Sequence, residues 1–318
     1  GTVGKVLGTF LLICVITGAI LLCFAAVYIK TVIIPQAHLE ANFVMNQTST
    51  IYYKDSTTGE YVEHLSLHGT ENRQLVAFEE IPDNLINATV AIEDETFWKH
   101  HGVNWKRTLK GVLLMFTGGD IQGGSTITQQ LIKNVTGNNE NTVKRKVTEV
   151  YRALALEKDY SKDEILEMYL NTIYLGNQCY GVQTASRTYF HKDVSELTLA
   201  ECACLISITN NPSQYDPLRG DWTRAQNRNR QLDVLDAMLA QEKIDQATYD
   251  AAKAEEVVFT NGYTNLGNYV GPQEEDEKPA VVSTANNSYF TDEVITDVAE
   301  KFVEVFGLTD DPADADGY

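Results

Sequence analysis

The sequence predicts a mainly α-helical protein that begins with an apolar helix and carries a small β-hairpin after it. Apolar residues recur at helical spacing from Ile81 to about Ala252, and strand-like alternation is scarce there. Residues Val6 to Ile29 form a run without any charge. Residues 49 to 68 alternate between polar and apolar side chains and are interrupted by Asp55 to Gly59, which is typical of a hairpin.

The uncharged run is long enough to cross a bilayer. It has 24 residues, and a membrane-spanning helix needs about 20. A cleaved signal peptide is the alternative, but its apolar core would be only about 7 to 15 residues long, which favours an uncleaved anchor. Lys5 precedes the run and Lys30 follows it, so the flanking charges indicate the orientation only weakly. We predict an anchor over residues 1–30 and a stalk that contains the hairpin over residues 31–69.

Helix starts are readable at two places in the helical part. The segments Ser161 to Glu164 and Thr198 to Glu201 have the capping-box pattern ahead of apolar runs. A third helix is predicted over Val143 to Leu156, where four apolar residues share one side at helical spacing, namely Val143, Val147, Val150 and Leu154.

The negative charge is concentrated in the last part of the chain. The net charge is −19, of which residues 255–318 carry −13 (15 acids and 2 bases). A solvated face or linker explains such an acidic tail, and nothing in the composition indicates nucleic-acid binding. The cysteines outside the apolar run are an odd number and fit no zinc pattern, so we expect buried thiols without a complete disulfide framework.

Four short blocks carry the residues suited to chemistry. The first is EDETFWKHHG at Glu93–Gly102, where two carboxylates end an apolar run and aromatic and histidine side chains follow. A carboxylate at the polar end of an apolar element is suited to proton transfer. The other blocks are GGSTITQQL at Gly123–Leu131, RKVTE at Arg145–Glu149 and KDEILEMYLN at Lys162–Asn171.

In this order the four blocks resemble those of the family 51 glycosyltransferases, the glycan-strand polymerases of class A penicillin-binding proteins and of monofunctional transglycosylases. The resemblance covers roughly residues 70 to 245 and implies a lysozyme-like helical glycosyltransferase domain over residues 70–255. A linker over residues 256–288 and the start of a connection to a transpeptidase domain over residues 289–318 are expected to follow. No serine has a lysine three positions later, as that domain's nucleophile would, so we expect a fragment or a degenerate remnant of a bifunctional protein.

The resemblance implies a peptidoglycan glycosyltransferase that joins lipid-linked disaccharides (lipid II), with undecaprenyl diphosphate as the leaving group. The 4-hydroxyl of one sugar unit attacks the anomeric carbon of another, which inverts that carbon without a covalent sugar–enzyme intermediate. This chemistry needs a base for the hydroxyl proton and cations or dipoles for the departing diphosphate. Glu93, the first acid of the first block, is the expected base; a solvated surface acid is the alternative for an isolated glutamate.

Further residues are expected around this base. Asp94 is expected as a supporting group or helix cap, and His100 as a hydrogen-bonding support. Ser125 or Thr126 should cap a helix whose free N–H groups would attract an anion, and two glutamines offer amides to sugar or phosphate oxygens. The full set expected to bind or surround the substrate is Asp94, His100, Ser125, Thr126, Gln129, Gln130, Lys133, Arg145 and Lys146.

Glu149 is the second carboxylate that the resemblance makes essential for catalysis. It would either orient Arg145 and Lys133, which with Lys146 are expected beside the diphosphate, or hold a divalent cation (Mg²⁺ or Mn²⁺) there. An ordinary surface ion pair with Arg145 is the alternative. The family often has arginine where Asn141 stands, so the chain departs from the pattern on the diphosphate side.

Two more features are expected to serve the scaffold and the membrane. Glu167 and Asn171, one helical turn apart, should hold the structure through hydrogen bonds. The stretch Trp105 to Phe116 interleaves apolar residues with cations, which suits a segment in the membrane interface. A buried core helix is the alternative for that stretch.

The expected partners are lipid II, the growing glycan strand, the lipid bilayer and, as further candidates, proteins of cell division or elongation. The expected location is the cell membrane, with one span, a cytoplasmic N-terminus and an extracellular catalytic domain. Two rival functions stay open at this point. One is a lytic enzyme of the lysozyme-like class, which would cleave finished cell wall, and the other is a non-enzymatic scaffold of cell-wall assembly.

Overall fold

The computed structural model describes residues 2–37, 49–54, 61–67, 72–108, 110, 124–137 and 142–271. The chain divides into two compact units, one of residues 1–46 and 73–274 and the other of residues 47–72 and 275–318. The first unit contains the N-terminal helix and the helical domain. The hairpin belongs to the second.

A long apolar helix begins the chain, as predicted. Helix α1 (Thr2–Tyr28) continues through a π-helical turn (Ile29–Ile33) into the short helix α2 (Ile34–Ala37). Within this continuous rod, Leu7–Ile33 is the one stretch among the described residues that is long and apolar enough to cross a membrane. Ile33 is buried where the rod contacts the helix formed by residues 143–159. The helix therefore extends past residue 30, where the predicted anchor ends.

The predicted hairpin is present. Strand β1 (Ser49–Lys54) pairs antiparallel with β2 (Tyr61–Leu67). Their register shifts between Ile51 and Tyr52, as it does at a β-bulge. The predicted turn lies outside the described residues.

Short helices build the rest of the first unit, which confirms the mainly α-helical fold class. Two-residue strands β3 (Asn72–Arg73) and β4 (Cys179–Tyr180) form a second small sheet. The helices are α3 (Asp83–Glu93), α4 (Ile127–Thr136), α5 (Val143–Asp159), α6 (Lys162–Thr172), α7 (Val182–Phe190), α8 (Leu199–Ser207), α9 (Pro212–Tyr215), α10 (Asp221–Ala240) and α11 (Gln246–Ala254). Turns of 3₁₀-helix occur at Phe78–Glu80, Phe97–Lys99 and Val194–Glu196.

Helix α8 lies at the centre of the core. Every residue from Leu199 to Ser207 is buried, so the helix is covered on all sides. It packs against α3 and α10, and α4 packs against α5 and α6. These contacts bring the ends of helices that are distant in sequence to one side of the domain.

Both predicted capping boxes are confirmed. Ser161 Oγ accepts a hydrogen bond from Glu164 N–H at 3.3 Å, and the Glu164 carboxylate accepts from Ser161 N–H at 2.7 Å. Thr198 and Glu201 make the same two bonds at 3.2 and 2.9 Å. Helices α6 and α8 therefore begin where these patterns predict.

Helix α5 buries a side other than the one that carries Val143, Val147, Val150 and Leu154. Val143 is 68% exposed, whereas the buried residues of this helix are Glu149, Ala153 and Leu156. Gly102, at a φ of +82°, explains part of this choice because a Cβ there would lie 2.6 Å from the carbonyl oxygen of Ala153. The close approach of the Gly102 and Ala153 backbones determines which side of α5 is buried. The spacing of the valines along the helix does not predict this side.

Glu167 and Asn171 hold the chain ahead of α3, which confirms their predicted scaffold role. The Asn171 side chain, 2% exposed, accepts from Val76 N–H at 3.0 Å and donates to Val76 O at 2.9 Å. Glu167 Oε2 accepts from Phe78 N–H at 3.0 Å. These bonds position the start of α3 and therefore the residue at its end, Glu93.

The first part of the predicted linker is folded onto the helical domain. Val257 and Phe259 are buried in the core, and Thr260 N–H donates to Tyr189 O at 3.0 Å. The domain therefore extends past residue 255, which differs from the predicted boundary because these apolar side chains find a place in the core. Residues 272–318, including the predicted connection to a further domain, lie outside the described residues.

The cysteines of the helical domain are buried and free, as predicted. Burial raises the pKa of the Cys179 thiol to about 11 and raises the pKa values of Cys202 and Cys204 further. The three thiols therefore stay protonated near neutral pH and serve as packing groups.

Candidate active site

One cleft of about 640 Å³ gathers residues from most of the helical domain. Its acidic residues are Glu93 and Glu149, and its basic residues are Arg107, Lys133 and Arg230. The polar remainder of its wall includes Ser125, Gln129, Gln130, Asn134, Tyr169, Tyr174, Thr209 and Asn210. Both predicted catalytic carboxylates and the predicted diphosphate-binding lysine therefore share one cavity.

Glu93 is the last residue of α3 and lies half-buried in the cleft wall. The C-terminal end of a helix is the negative end of its dipole, so α3 itself does not stabilise a carboxylate there. Two hydrogen bonds do: Oε2 accepts from Gln130 Nε2 at 3.0 Å, and Oε1 accepts from Thr209 Oγ1 at 2.8 Å. The carboxylate is therefore held at both oxygens.

The amide of Gln130 is oriented by Tyr169. The Tyr169 hydroxyl donates to Gln130 Oε1 at 3.3 Å, which leaves Nε2 to face Glu93. Tyr169 is 1% exposed, and burial, reinforced by the charges of Glu93 and Asp94, raises the pKa of its phenol well above the ordinary value. The phenol therefore stays a donor. Gln130 therefore supports the carboxylate, and since it also lines the cleft, its predicted contact with the substrate stays a prediction.

Asp94 is fully buried and holds helix α4. Its Oδ2 accepts from the N–H of Ile127, the first residue of α4, at 3.1 Å and lies 2.8 Å from His100 Nε2. Arg107 Nη1 lies 3.9 Å from the other oxygen. Asp94 and His100 do not line the cleft. The structure therefore gives both residues a supporting place outside the cleft wall, because the carboxylate is already surrounded by donors.

The N-terminus of α4 is capped by the protein's own side chains. Thr126 Oγ1 accepts from Gln129 N–H at 3.2 Å, and Gln129 Oε1 accepts from Thr126 N–H at 3.0 Å. With Ile127 N–H bound to Asp94, two of the amides expected to attract an anion are taken. This corrects the predicted anion site: the buried Asp94 carboxylate is the anion at this helix end. Gln129 is fully buried, and its Nε2 has no partner among the described residues.

Glu149, on α5, lines the cleft and is paired with two cations, Arg145 and Lys146, which are not themselves among the residues that line it. Its two oxygens accept hydrogen bonds from Arg145 Nη1 and Lys146 Nζ. Lys146 Nζ also donates to Ser125 Oγ at 2.7 Å. Glu149 is 5% exposed, and a buried carboxylate needs such partners. Lys133, on α4, is exposed, and its side-chain ammonium makes no hydrogen bond or ion pair with the described residues.

The surroundings of Glu149 do not fit a metal ion held by the protein. Both of its oxygens already face cations. Among the described residues, no group of three or more His, Cys, Asp or Glu side chains could hold a metal ion. Mg²⁺ and Mn²⁺ require several oxygen ligands, so the predicted metal site at Glu149 has no support from its neighbours.

Two predictions about the rim of this site cannot be placed. Asn141 lies outside the described residues. The stretch from Trp105 to Phe116 is described only at residues 105–108 and 110. Both stay predictions.

Comparison with models of known protein families assigns the chain to a family. A family model described as Transglycosylase matches residues 58–239, which is more than half of the chain. The chain belongs to the transglycosylase family. The matched range includes the whole of the cleft described above, from Ile92 to Arg230. At the level of the family, the prediction of a peptidoglycan glycosyltransferase domain is confirmed.

Curated relatives of this transglycosylase domain are penicillin-binding proteins. Penicillin-binding protein 1A of Clostridium perfringens (strain 13 / Type A) is 36% identical over 321 residues, covering 98% of this chain and 45% of the relative. Penicillin-binding protein 1F of Bacillus subtilis (strain 168) is 43% identical over 208 residues, covering 65% of this chain and 27% of the relative. A crystal structure of penicillin-binding protein 1A from Haemophilus influenzae is 24% identical, covers 83% of this chain and 25% of that chain, and has a TM-score of 0.37. The chain spans less than half the length of the curated relatives it matches.

Several residues of the transglycosylase cleft were not indicated by the sequence. Thr209 and Asn210 lie in the turn between α8 and α9, Tyr174 follows α6, and Arg230 lies on α10. None belongs to the four blocks. For Thr209 and Asn210 the sequence offers one signal, because they form a polar pair after an apolar helix. An ordinary helix end has the same pattern, and Tyr174 and Arg230 have no signal of this kind.

Proposed function

We propose that this transglycosylase domain polymerises lipid II into glycan strands by an inverting transfer from which undecaprenyl diphosphate leaves. The observation that carries the proposal is that Glu93 and Lys133 line the same cleft. A base and a cation in one cavity are the two groups that such a transfer needs. Family membership and the penicillin-binding names of the relatives support the substrate class.

Glu93 is the proposed base. As the acceptor's 4-hydroxyl oxygen bonds to the anomeric carbon of the donor, its proton passes to a carboxylate oxygen of Glu93. The bond from that carbon to the diphosphate oxygen breaks, and the electron pair leaves with undecaprenyl diphosphate. Attack from the face opposite the leaving group inverts the anomeric carbon.

Lys133 and the cluster around Glu149 are the proposed stabilisers of the leaving group. The exposed ammonium of Lys133 is available to the diphosphate. Glu149 holds Arg145 and Lys146 in place, so these cations need little rearrangement when negative charge develops. In this scheme Glu149 organises cations and takes no proton.

We place the domain outside the cytoplasmic membrane, with the apolar N-terminal helix as a single span and the N-terminus in the cytoplasm. The stretch Leu7–Ile33 supports an anchor by its length and composition. The diphosphate of a lipid-linked sugar lies at the bilayer surface, and an anchor keeps the cleft near that surface. Lipid II, the growing strand and the bilayer are the partners that this placement requires.

The test compares Glu93→Gln with Glu95→Gln in the full chain incubated with lipid II in detergent. Glu95 is an exposed acid of the same block and provides a matched control. We expect Glu93→Gln to lower the rate of polymer formation roughly 10²- to 10⁴-fold, as for loss of a positioned base, and Glu95→Gln to leave it nearly unchanged. Near-normal polymer from Glu93→Gln would remove Glu93 from this role.

The same samples separate the rival functions. A lytic enzyme would release fragments from finished cell wall and form no polymer from lipid II. A scaffold would do neither, and loss of both Glu93 and Glu149 would leave its behaviour unchanged.

A further inference from the structure

We propose that Thr209 is a positioning residue that holds the Glu93 carboxylate for proton transfer and serves it in both protonation states. The inference rests on the proposed function, in which Glu93 is the base. It gives a role to a residue outside the four sequence blocks, 116 positions after Glu93.

Thr209 is fixed to the end of the buried helix α8. Its N–H donates to Ile206 O at 3.2 Å, which continues the last turn of α8. Helix α8 is buried along its whole length, and Ile208 beside Thr209 is 1% exposed. Because α8 packs against α3, which ends at Glu93, two packed helices bring the hydroxyl to the carboxylate.

Thr209 and Gln130 bind opposite oxygens of one carboxylate. Oε1 of Glu93 accepts from Thr209 at 2.8 Å, and Oε2 accepts from Gln130 at 3.0 Å. A bond at each oxygen fixes the plane of the carboxylate, while each oxygen keeps a second lone pair. The base is therefore oriented before a substrate arrives, which lowers the cost of reaching the reactive geometry.

The Thr209 hydroxyl has one proton and two acceptors within reach. It lies 2.8 Å from Glu93 Oε1 and 2.8 Å from the carbonyl oxygen of Ile206. While Glu93 is ionised, the hydroxyl donates to it, since a charged acceptor forms the stronger bond. Once Glu93 has taken a proton, the hydroxyl turns to Ile206 O, so no donor is left unpaired against the neutral acid. Rotation of the Thr209 hydroxyl about its Cβ–Oγ1 bond therefore matches the hydrogen bond to the protonation state of Glu93.

Gln130 cannot make the same change. Tyr169 binds its Oε1 and thereby fixes which end of the amide faces Glu93. Gln130 therefore supplies a constant bond, and Thr209 supplies the bond that adapts.

The other charged and titratable groups near Glu93 do not differ between variants of Thr209. Asp94 is the neighbour of Glu93 in the chain. The charged and titratable groups that share the cleft with Glu93 are Arg107, Lys133, Glu149, Tyr169, Tyr174 and Arg230. A difference in pH dependence between Thr209 variants therefore reports the bond to Glu93.

The test compares Thr209→Val with Thr209→Ser in the full chain, with lipid II as substrate. Valine keeps the branched shape and removes the hydroxyl, whereas serine keeps the hydroxyl. We expect Thr209→Val to lower kcat roughly 10-fold with little change in KM. The acid limb of its pH–rate profile should move to higher pH, since a hydrogen bond to the ionised form favours that form. Thr209→Ser should restore both properties to near the parent values.

Thr172→Val is the matched control. Its hydroxyl donates to Met168 O at 2.8 Å at the end of α6, and it binds no carboxylate. We expect Thr172→Val to leave kcat and the pH profile unchanged. If thermal unfolding shows that Thr209→Val does not fold, Thr209→Ala removes the same donor and takes its place.

Parent-like kcat and pH profile in the variant without the hydroxyl would overturn the role of Thr209. Equal impairment of Thr209→Ser and Thr209→Val would overturn it as well. Glu93→Gln separates this inference from the proposed function. If Glu93→Gln is inactive while Thr209→Val is normal, only the role of Thr209 fails. If Glu93→Gln polymerises normally, Glu93 is not the base and the role of Thr209 fails with it, whereas a parent chain that forms no polymer from lipid II would overturn the proposed function itself.

Discussion

The carboxylate of Asp94 caps the helix that begins at Ile127, with 3.1 Å between Asp94 Oδ2 and the Ile127 nitrogen. That helix carries Gln130 and Lys133, which line the cleft. Two adjacent acids of one block therefore serve different ends. Glu93 faces the cavity, and Asp94 is fully buried beneath it.

Removing the buried Asp94 should destabilise the domain strongly. We expect Asp94→Ala to lower the free energy of unfolding by about 3–5 kcal/mol, because His100 and the helix end lose their acceptor in the interior. Asp94→Asn should cost about 1–3 kcal/mol, since it keeps one acceptor and loses the charge. Urea unfolding measures both. Asp83→Asn, at an exposed first-turn acid, is the control and should change the value by less than about 1 kcal/mol. An unchanged stability of Asp94→Asn would contradict this account.

Asn171 should matter for stability more than for chemistry. Asn171→Leu leaves Val76 N–H and C=O buried without their partner. We expect a loss of about 2–6 kcal/mol, at about 1–3 kcal/mol for each of the two unsatisfied groups. Thermal or urea unfolding against Asn84→Leu, an exposed position on α3, gives the comparison. If both variants lose the same small amount, the side chain does not hold this segment.

Divalent cations should not stabilise the protein in the absence of substrate. Glu149 is occupied by Arg145 and Lys146, so Mg²⁺ or Mn²⁺ has no set of protein ligands there. We expect thermal unfolding of the full chain to shift by less than about 1 °C on addition of either ion, because a ligand stabilises only the state that binds it. A clear stabilisation that disappears in Glu149→Gln would place a metal at Glu149. A metal requirement seen only with lipid II would mean that the diphosphate supplies the ligands.

Asp216 should give stability a pH dependence of its own. It is 2% exposed, and burial raises the pKa of its carboxyl, although the Leu218 N–H bond and the nearby Arg219 act in the opposite direction. A raised pKa in the folded state means that the group favours folding when protonated. This contribution is complete below about pH 4 and is lost as the pH rises through the folded-state pKa.

Asp216→Asn removes this loss of stability at higher pH, because the asparagine side chain does not ionise. We expect the stability of this variant relative to the parent to increase from about pH 4 to about pH 7. Urea unfolding at several pH values measures the difference. A difference that stays constant across this range, or that falls, would contradict the assignment.

The buried thiols should resist modification in the folded protein. In a Cys14→Ser, Cys23→Ser background, the remaining cysteines are those of the helical domain, all buried. We expect a thiol reagent at pH 8 to label none of them until urea unfolds the domain, since the thiolate is the reactive form and burial disfavours it. Rapid labelling of any of the three in the native protein would show that the core opens locally.

The sequence by itself determined the features that depend on near neighbours. The capping boxes at Ser161 and Thr198 involve side chains and N–H groups only three residues apart, so their pattern predicts the helix starts directly. The hairpin and the apolar helix are equally local. The order of the four blocks was enough to identify the family, because it reports residue types and spacing without needing their contacts.

Only the tertiary structure decided which of those residues meet in the cleft. Gln130 turns to Glu93 because Tyr169, on another helix, fixes its amide. Thr209 reaches the same carboxylate from 116 residues away because α8 packs against α3. The physical reason is that a side chain's hydrogen-bond partners depend on how helices pack, and packing is set by contacts among distant segments. The local sequence pattern therefore shows which donors and acceptors are present, and the packing of the helices decides which of them form hydrogen bonds with each other.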